Sequence, residues 1–161
     1  MRTALIFVTG LLVGSAVATG VAQSNRLSGL HMVNHVGITV PRMDEALAFY
    51  TGKMGFREAF VVKDDKGQPA LAYVQVSRDT FVELGPAGPN ATLGISHFGL
   101  HVDDIKATIA TLRERGVKVE DPRVGRNGSI IASATDLNGV RVELTELPPN
   151  ELVRKAMDSW K

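Results

Sequence analysis

The sequence predicts an α+β fold built from two tandem βαβββ modules, followed by a C-terminal helix. Three observations carry that reading. A pattern occurs twice that opens on a histidine and closes on a glutamate. It runs from His35, in Asn34-His35-Val36-Gly37-Ile38-Thr39-Val40, to Glu83, in Val82-Glu83-Leu84. It then runs from His97, in Ser96-His97-Phe98-Gly99-Leu100-His101-Val102, to Glu143, in Val142-Glu143-Leu144. Strand-like alternation surrounds one helix-like stretch in each copy. Between the copies, Gly85-Pro86-Ala87-Gly88-Pro89-Asn90 is a cluster of chain breakers. From His to Glu the separation is 48 residues in the first copy and 46 in the second, so the halves read as a duplicated module.

Residues 33–40 alternate and are β-branched, so they read as a strand ended by Pro41, which cannot donate to a ladder. Asp44 is placed to cap a helix carrying Ala46, Leu47, Phe49, Tyr50 and Met54, and Gly55 ends it. Strands follow at 56–63, 70–77 and 80–84, with Asp64-Asp65-Lys66-Gly67 as a hairpin turn. The second module repeats the order. A strand at 95–102 precedes a helix at 105–115 with Ile105, Ile109 and Leu112 on one face, ended by Gly116. Strands are then expected at 117–120, 129–135 and 140–147, with turns at Arg126-Asn127-Gly128 and Leu137-Asn138-Gly139. After Pro148-Pro149, Asn150 is the expected cap of a helix whose Leu152, Val153, Ala156, Met157 and Trp160 form one apolar stripe, suited to docking on the domain or on a second copy.

The chain of 161 residues carries 18 basic and 17 acidic side chains and no cysteine, enough for one compact domain or two packed modules. Near-neutral charge without a basic patch excludes a nucleic-acid partner and favours a small-molecule ligand. Residues 1–22 read as an export signal: Arg2, an apolar run from Ala4 to Val13, then small residues in Ala16-Val17-Ala18 and Gly20-Val21-Ala22. Cleavage would make the protein periplasmic or extracellular. The alternative, an uncleaved membrane anchor, is disfavoured because the run is shorter than the ~20 residues a span needs. The expected layout is therefore a signal at 1–22, a linker at 23–32 that includes His31, modules at 33–85 and 95–147, and a C-terminal helix at 148–161.

His35, Glu83, His97 and Glu143 are the donor types a divalent metal uses. Two carboxylates and two neutral imidazoles would balance a dication and leave positions for the oxygens of a substrate. Such a site stabilises an enolate or enediolate while a nearby base moves the proton. On the same strand faces, Arg141 and Thr145 accompany Glu143, and Phe81 accompanies Glu83, so these are expected around the ligand pocket. Arg141 is the candidate for an anionic substrate. His101, about 13 Å along the strand from His97 at ~3.3 Å per residue, is too far for the same metal. It is expected at the cleft mouth, against substrate or partly exposed.

These motifs resemble the vicinal oxygen chelate superfamily, the group of glyoxalase I, methylmalonyl-CoA epimerase, extradiol dioxygenases and bleomycin-type resistance proteins, over residues 33 to 147. The resemblance implies paired βαβββ modules whose curved sheets form a cleft. It also implies one divalent metal (nickel, cobalt, zinc, manganese or iron) held by His35, Glu83, His97 and Glu143, the full set of the glyoxalase I arrangement. Glu83 or Glu143 would then be the catalytic base of a glyoxalase-like lyase or isomerase. The alternatives are an extradiol-type dioxygenase, which would use His35, His97 and Glu143 and leave Glu83 over, and a non-enzymatic resistance-type binding protein. A homodimer fits the same resemblance.

Overall fold

The structure is a computed structural model that describes residues 26–161. The expected export signal, residues 1–22, lies outside the described residues. Eight strands form a single sheet in the order β2-β3-β4-β1-β5-β8-β7-β6. In chain order they are β1 (Leu30–Val40), β2 (Arg57–Lys63), β3 (Pro69–Ser77), β4 (Thr80–Pro86), β5 (Gly94–Val102), β6 (Arg123–Val124), β7 (Ile130–Thr135) and β8 (Arg141–Glu146). Helix α1 (Met43–Leu47) follows β1, α2 (Ile105–Glu114) follows β5, and α3 (Leu152–Asp158) follows β8.

The two modules have the same internal wiring. In each, the first strand pairs parallel with the fourth, β1 with β4 and β5 with β8. The modules then join through β1 and β5, which run antiparallel at the centre of the sheet. Strand alternation separates two faces. On the outer face, Val40, Ala72 and Leu84 receive Met43, Ala46 and Leu47 of α1. In the second module Val102, Ala132 and Leu144 receive Ile105, Ile109 and Leu112 of α2. The inner face carries His35, Glu83, His97 and Glu143. Part of it is covered by α3, whose Val153, Ala156 and Met157 pack on Tyr73, Phe81 and Leu147.

Several local expectations are corrected. The position preceding α1 is Arg42, whose side chain makes no capping bond, while Asp44 sits in the first turn and pairs with the Arg42 guanidinium at 3.0 Å. Beyond Leu47 the chain winds as a π-helix over Ala48–Lys53 before Gly55 turns it at φ +73°. No strand forms at 117–120. Val119 makes only an isolated bridge to Ala134, and its carbonyl is taken by the Arg113 guanidinium at 2.8 Å. Pro122 offers no N–H, so pairing resumes only at β6. Glu151 rather than Asn150 caps α3, because its carboxylate folds back to accept from the Val153 and Arg154 amides. The apolar stripe is buried at Val153, Ala156 and Met157, whereas Trp160 lies beyond the helix and is exposed. β1 starts at Leu30, so His31 is a strand residue.

Candidate metal centre

The central antiparallel pair explains the His-x-Gly spacing. Across β1 and β5, His35 sits opposite Gly99 and Gly37 opposite His97. Each histidine ring therefore lies over the glycine of the other module. A Cβ on Gly37 would come within 1.9 Å of His97 Cε1, and one on Gly99 within 2.0 Å of His35 Cε1. Only a residue without a side chain leaves room for the rings to meet.

They meet with both Nε2 atoms inward, 3.1 Å apart. Glu83, on β4, and Glu143, on β8, bring their carboxylates to the same point. His35 Nε2 lies 3.6 Å from Glu83 and 3.5 Å from Glu143, and His97 Nε2 lies 3.8 Å from Glu83. Donors bound to one ion at ~2.1 Å are about 3 to 4.2 Å apart, so these separations suit a single divalent cation. All four residues offer an atom within 4.8 Å of the others. His35, His97 and Glu143 are buried and Glu83 nearly so. Two buried carboxylates beside two imidazoles form a site whose charge a dication balances, and leaving such carboxylates unpaired costs several kcal/mol by general estimates. The donor set fits a divalent metal.

The two carboxylates differ in proton affinity. Burial raises the pKa of Glu83, against the pull of His35 and of the Tyr73 hydroxyl, which donates to Glu83 Oε2 at 2.5 Å. Burial also pushes Glu143 up, but its interactions with His35, His97 and Arg141 outweigh it, and the net shift is downward. Burial and the adjacent Arg141 charge lower His97 to about 4, so its imidazole is neutral near pH 7.

The two glutamates border a cavity of about 250 Å³, lined also by Tyr73, Arg123, Arg126 and Arg141 among others. Of the expected pocket residues, Arg141 is in place. Its guanidinium reaches Glu143 at 3.1 Å and His97 Nδ1 at 2.5 Å. Phe81 is 1% exposed and packs under α3, because that helix covers its stretch of the inner face. Thr145 is buried, with no hydrogen-bond partner for its hydroxyl. His101 is buried rather than partly exposed, at 7%, with its ring 4.8 Å from that of His31. Phe81, Thr145 and His101 are not among the residues lining the cavity.

Tyr73 is a site residue the sequence reading missed. The signal was its register, since it stands opposite Glu83 across β3 and β4 and shares its face. Arg123 and Arg126, on β6 and the turn after it, were also missed, because a two-residue strand and a turn carry no periodicity that would aim their arginines inward.

A profile of the Glyoxalase/Bleomycin resistance protein/Dioxygenase superfamily matches residues 32–144. The chain is 25% identical over 131 residues to the mitochondrial methylmalonyl-CoA epimerase of Bos taurus, covering 73% of this chain and 75% of that protein. It is 29% identical over 121 residues to a probable lactoylglutathione lyase of Synechocystis sp., covering 70% and 92%. Among solved structures, a methylmalonyl-CoA epimerase from Mycobacterium tuberculosis superposes with a TM-score of 0.65 at 23% identity, covering 77% of this chain and 93% of that one. The duplicated module, the histidine and glutamate at matching strand positions in each half and the profile match agree: the chain belongs to the glyoxalase/bleomycin resistance/dioxygenase superfamily.

Proposed function

We propose that this protein is a divalent-metal-dependent lyase or isomerase that moves a proton next to a carbonyl, in a substrate with vicinal oxygens. The observation that carries the reading is the convergence of all four donors, His35, Glu83, His97 and Glu143, with the two glutamates bordering one cavity. The relatives' names, a methylmalonyl-CoA epimerase and a probable lactoylglutathione lyase, support a carbonyl substrate. A bound dication, of the nickel, cobalt, zinc, manganese or iron type, supplies Lewis acidity that lowers the cost of the enolate-like charge.

The chain's own groups divide the remaining work. Glu83 is the base: it is the more exposed of the two glutamates, at 17% against 6%, and it borders the cavity. The Tyr73 hydroxyl orients it. Glu143 stays ionised as a ligand, and Arg141 stands ready for an anionic group of the substrate. The three-ligand dioxygenase alternative leaves Glu83 and its tyrosine partner without a role. Export and homodimer formation belong to the same proposal. Export rests on the charged start, apolar run and small-residue exit of residues 1–22, and N-terminal sequencing of native protein is expected to find a chain beginning near Thr19 or Gln23. Among the described residues no helix is long and apolar enough to cross a membrane.

The test is turnover of a panel of acyl thioesters, hemithioacetals and catechols in deuterated water with metal-loaded protein. Deuterium incorporation at the carbon next to a carbonyl, lost on Glu83→Ala, is the expected result. Oxygen-dependent cleavage of a catechol that survives Glu83→Ala contradicts it.

A further inference from the structure

The two modules match at the metal ligands but differ beside them. His35 Nδ1 lies 3.2 Å from Asn34 Oδ1, and the Asn34 amide nitrogen donates to the Asp79 carbonyl. That leaves Asn34 Oδ1 as an acceptor, so His35 carries its proton on Nδ1 and turns the Nε2 lone pair toward the centre. This is the tautomer a metal needs.

His97 is arranged the opposite way. The residue paired with it across β5 and β8 is Arg141, where the first module pairs His35 with Phe81. The Arg141 guanidinium stands 2.5 Å from His97 Nδ1. A guanidinium only donates, so Nδ1 is the acceptor and the proton of the neutral ring sits on Nε2, directed at His35 Nε2. A cation on His97 Nε2 requires that proton to be on Nδ1, where it would face the N–H of Arg141. The arginine contact and metal ligation through His97 therefore exclude each other. Ser96 Oγ, 2.9 Å from Nδ1, can accept from the alternative tautomer.

We infer that Arg141 is a latch on the metal centre, released from His97 when a divalent ion binds. The exchange balances without any group changing its charge: the ring proton leaves Nε2 and one is carried on Nδ1, donated to Ser96 Oγ, while Arg141 stays cationic. Once released it turns into the cavity that Arg123 and Arg126 also line. A cavity lined by three arginines and bordering a dication site then favours a small anion, such as a carboxylate. Metal loading and anion binding are thereby coupled, each strengthening the other by the same factor.

The inference rests on the metal-binding reading above, and the experiment separates the two. Metal-stripped full-length protein and its Arg141→Met and Arg141→Lys variants are titrated with Zn²⁺ or Mn²⁺ against a chromophoric chelator, and the histidine tautomers are read by ¹⁵N NMR. In wild type, His97 is expected to carry its proton on Nε2 before metal and on Nδ1 after. Arg141→Met is expected to bind metal about ten- to a hundredfold more tightly, the span a charge-assisted hydrogen bond covers, with Arg141→Lys in between. Metal bound equally well by wild type and Arg141→Met, or a proton already on Nδ1 in stripped wild type, overturns the latch and leaves the metal centre standing. Failure of every variant to bind either ion overturns both.

Discussion

Each candidate ligand histidine owes its position to a glycine in the other half of the chain. The clash distances at Gly37 and Gly99, near 2 Å, are far below van der Waals contact, so a methyl group there displaces a ring rather than compressing it. Gly99→Ala is expected to keep the fold at a cost of about 1–3 kcal/mol while weakening metal binding, measured by chelator competition, far more than alanine at exposed Gly52, where no atom lies within 4 Å. Tyr73→Phe removes the hydroxyl that donates to the proposed base. Proton-transfer rates are expected to fall about tenfold or more, as for loss of a hydrogen bond to a charged group, with metal stoichiometry unchanged. A drop in stoichiometry equal to the drop in rate would instead make Tyr73 a support of the site alone. The four donors were legible in sequence because duplication wrote them twice. Tyr73 was not, since its role depends on cross-strand register with Glu83.

At the scale of elements, α3 buries Phe81 on the inner face. Alternation alone puts Phe81, Thr145 and His101 on the same side as the ligands, and it assigned them to the pocket. It carries no information about a distant segment such as α3 folding back over Phe81. Phe81→Ala is therefore expected to destabilise the fold by about 3–5 kcal/mol, seen as a lower melting temperature, with metal affinity nearly unchanged in the folded protein. A selective loss of substrate affinity without loss of stability would return Phe81 to the pocket. Glu151 ties α3 to the second module by accepting from the Ser129 hydroxyl as well as from the helix amides. Burial raises its pKa. A carboxyl with a raised folded-state pKa favours the folded form below its unfolded pKa, and that contribution is lost as pH rises through the folded value. Glu151→Gln mimics the protonated form. Its melting temperature relative to wild type is expected to be most favourable at neutral pH and to fall away on acidification toward pH 4; a difference that does not vary with pH contradicts the shift. The helices and most strands were legible from periodicity. The missing strand at 117–120 was not, because its fate depends on Arg113 reaching the Val119 carbonyl and on Pro122 interrupting the ladder.

For the whole molecule, joining two like modules through antiparallel β1 and β5 places four donors from separate strands at one point, while α1 and α2 cover the opposite face. A centre assembled this way couples metal binding to the integrity of both modules, because an ion that binds only the folded chain stabilises it by linkage. Metal content and melting temperature should then move together. The most direct measurement is elemental analysis of protein purified without added metal, paired with thermal melts of wild type, Glu83→Gln and His97→Ala before and after chelation. About one divalent ion per wild-type chain is expected, with a melting temperature that falls on chelation, and loss of both the ion and the chelator response in the two variants. Unchanged metal content and an unchanged chelator response in both variants would contradict it.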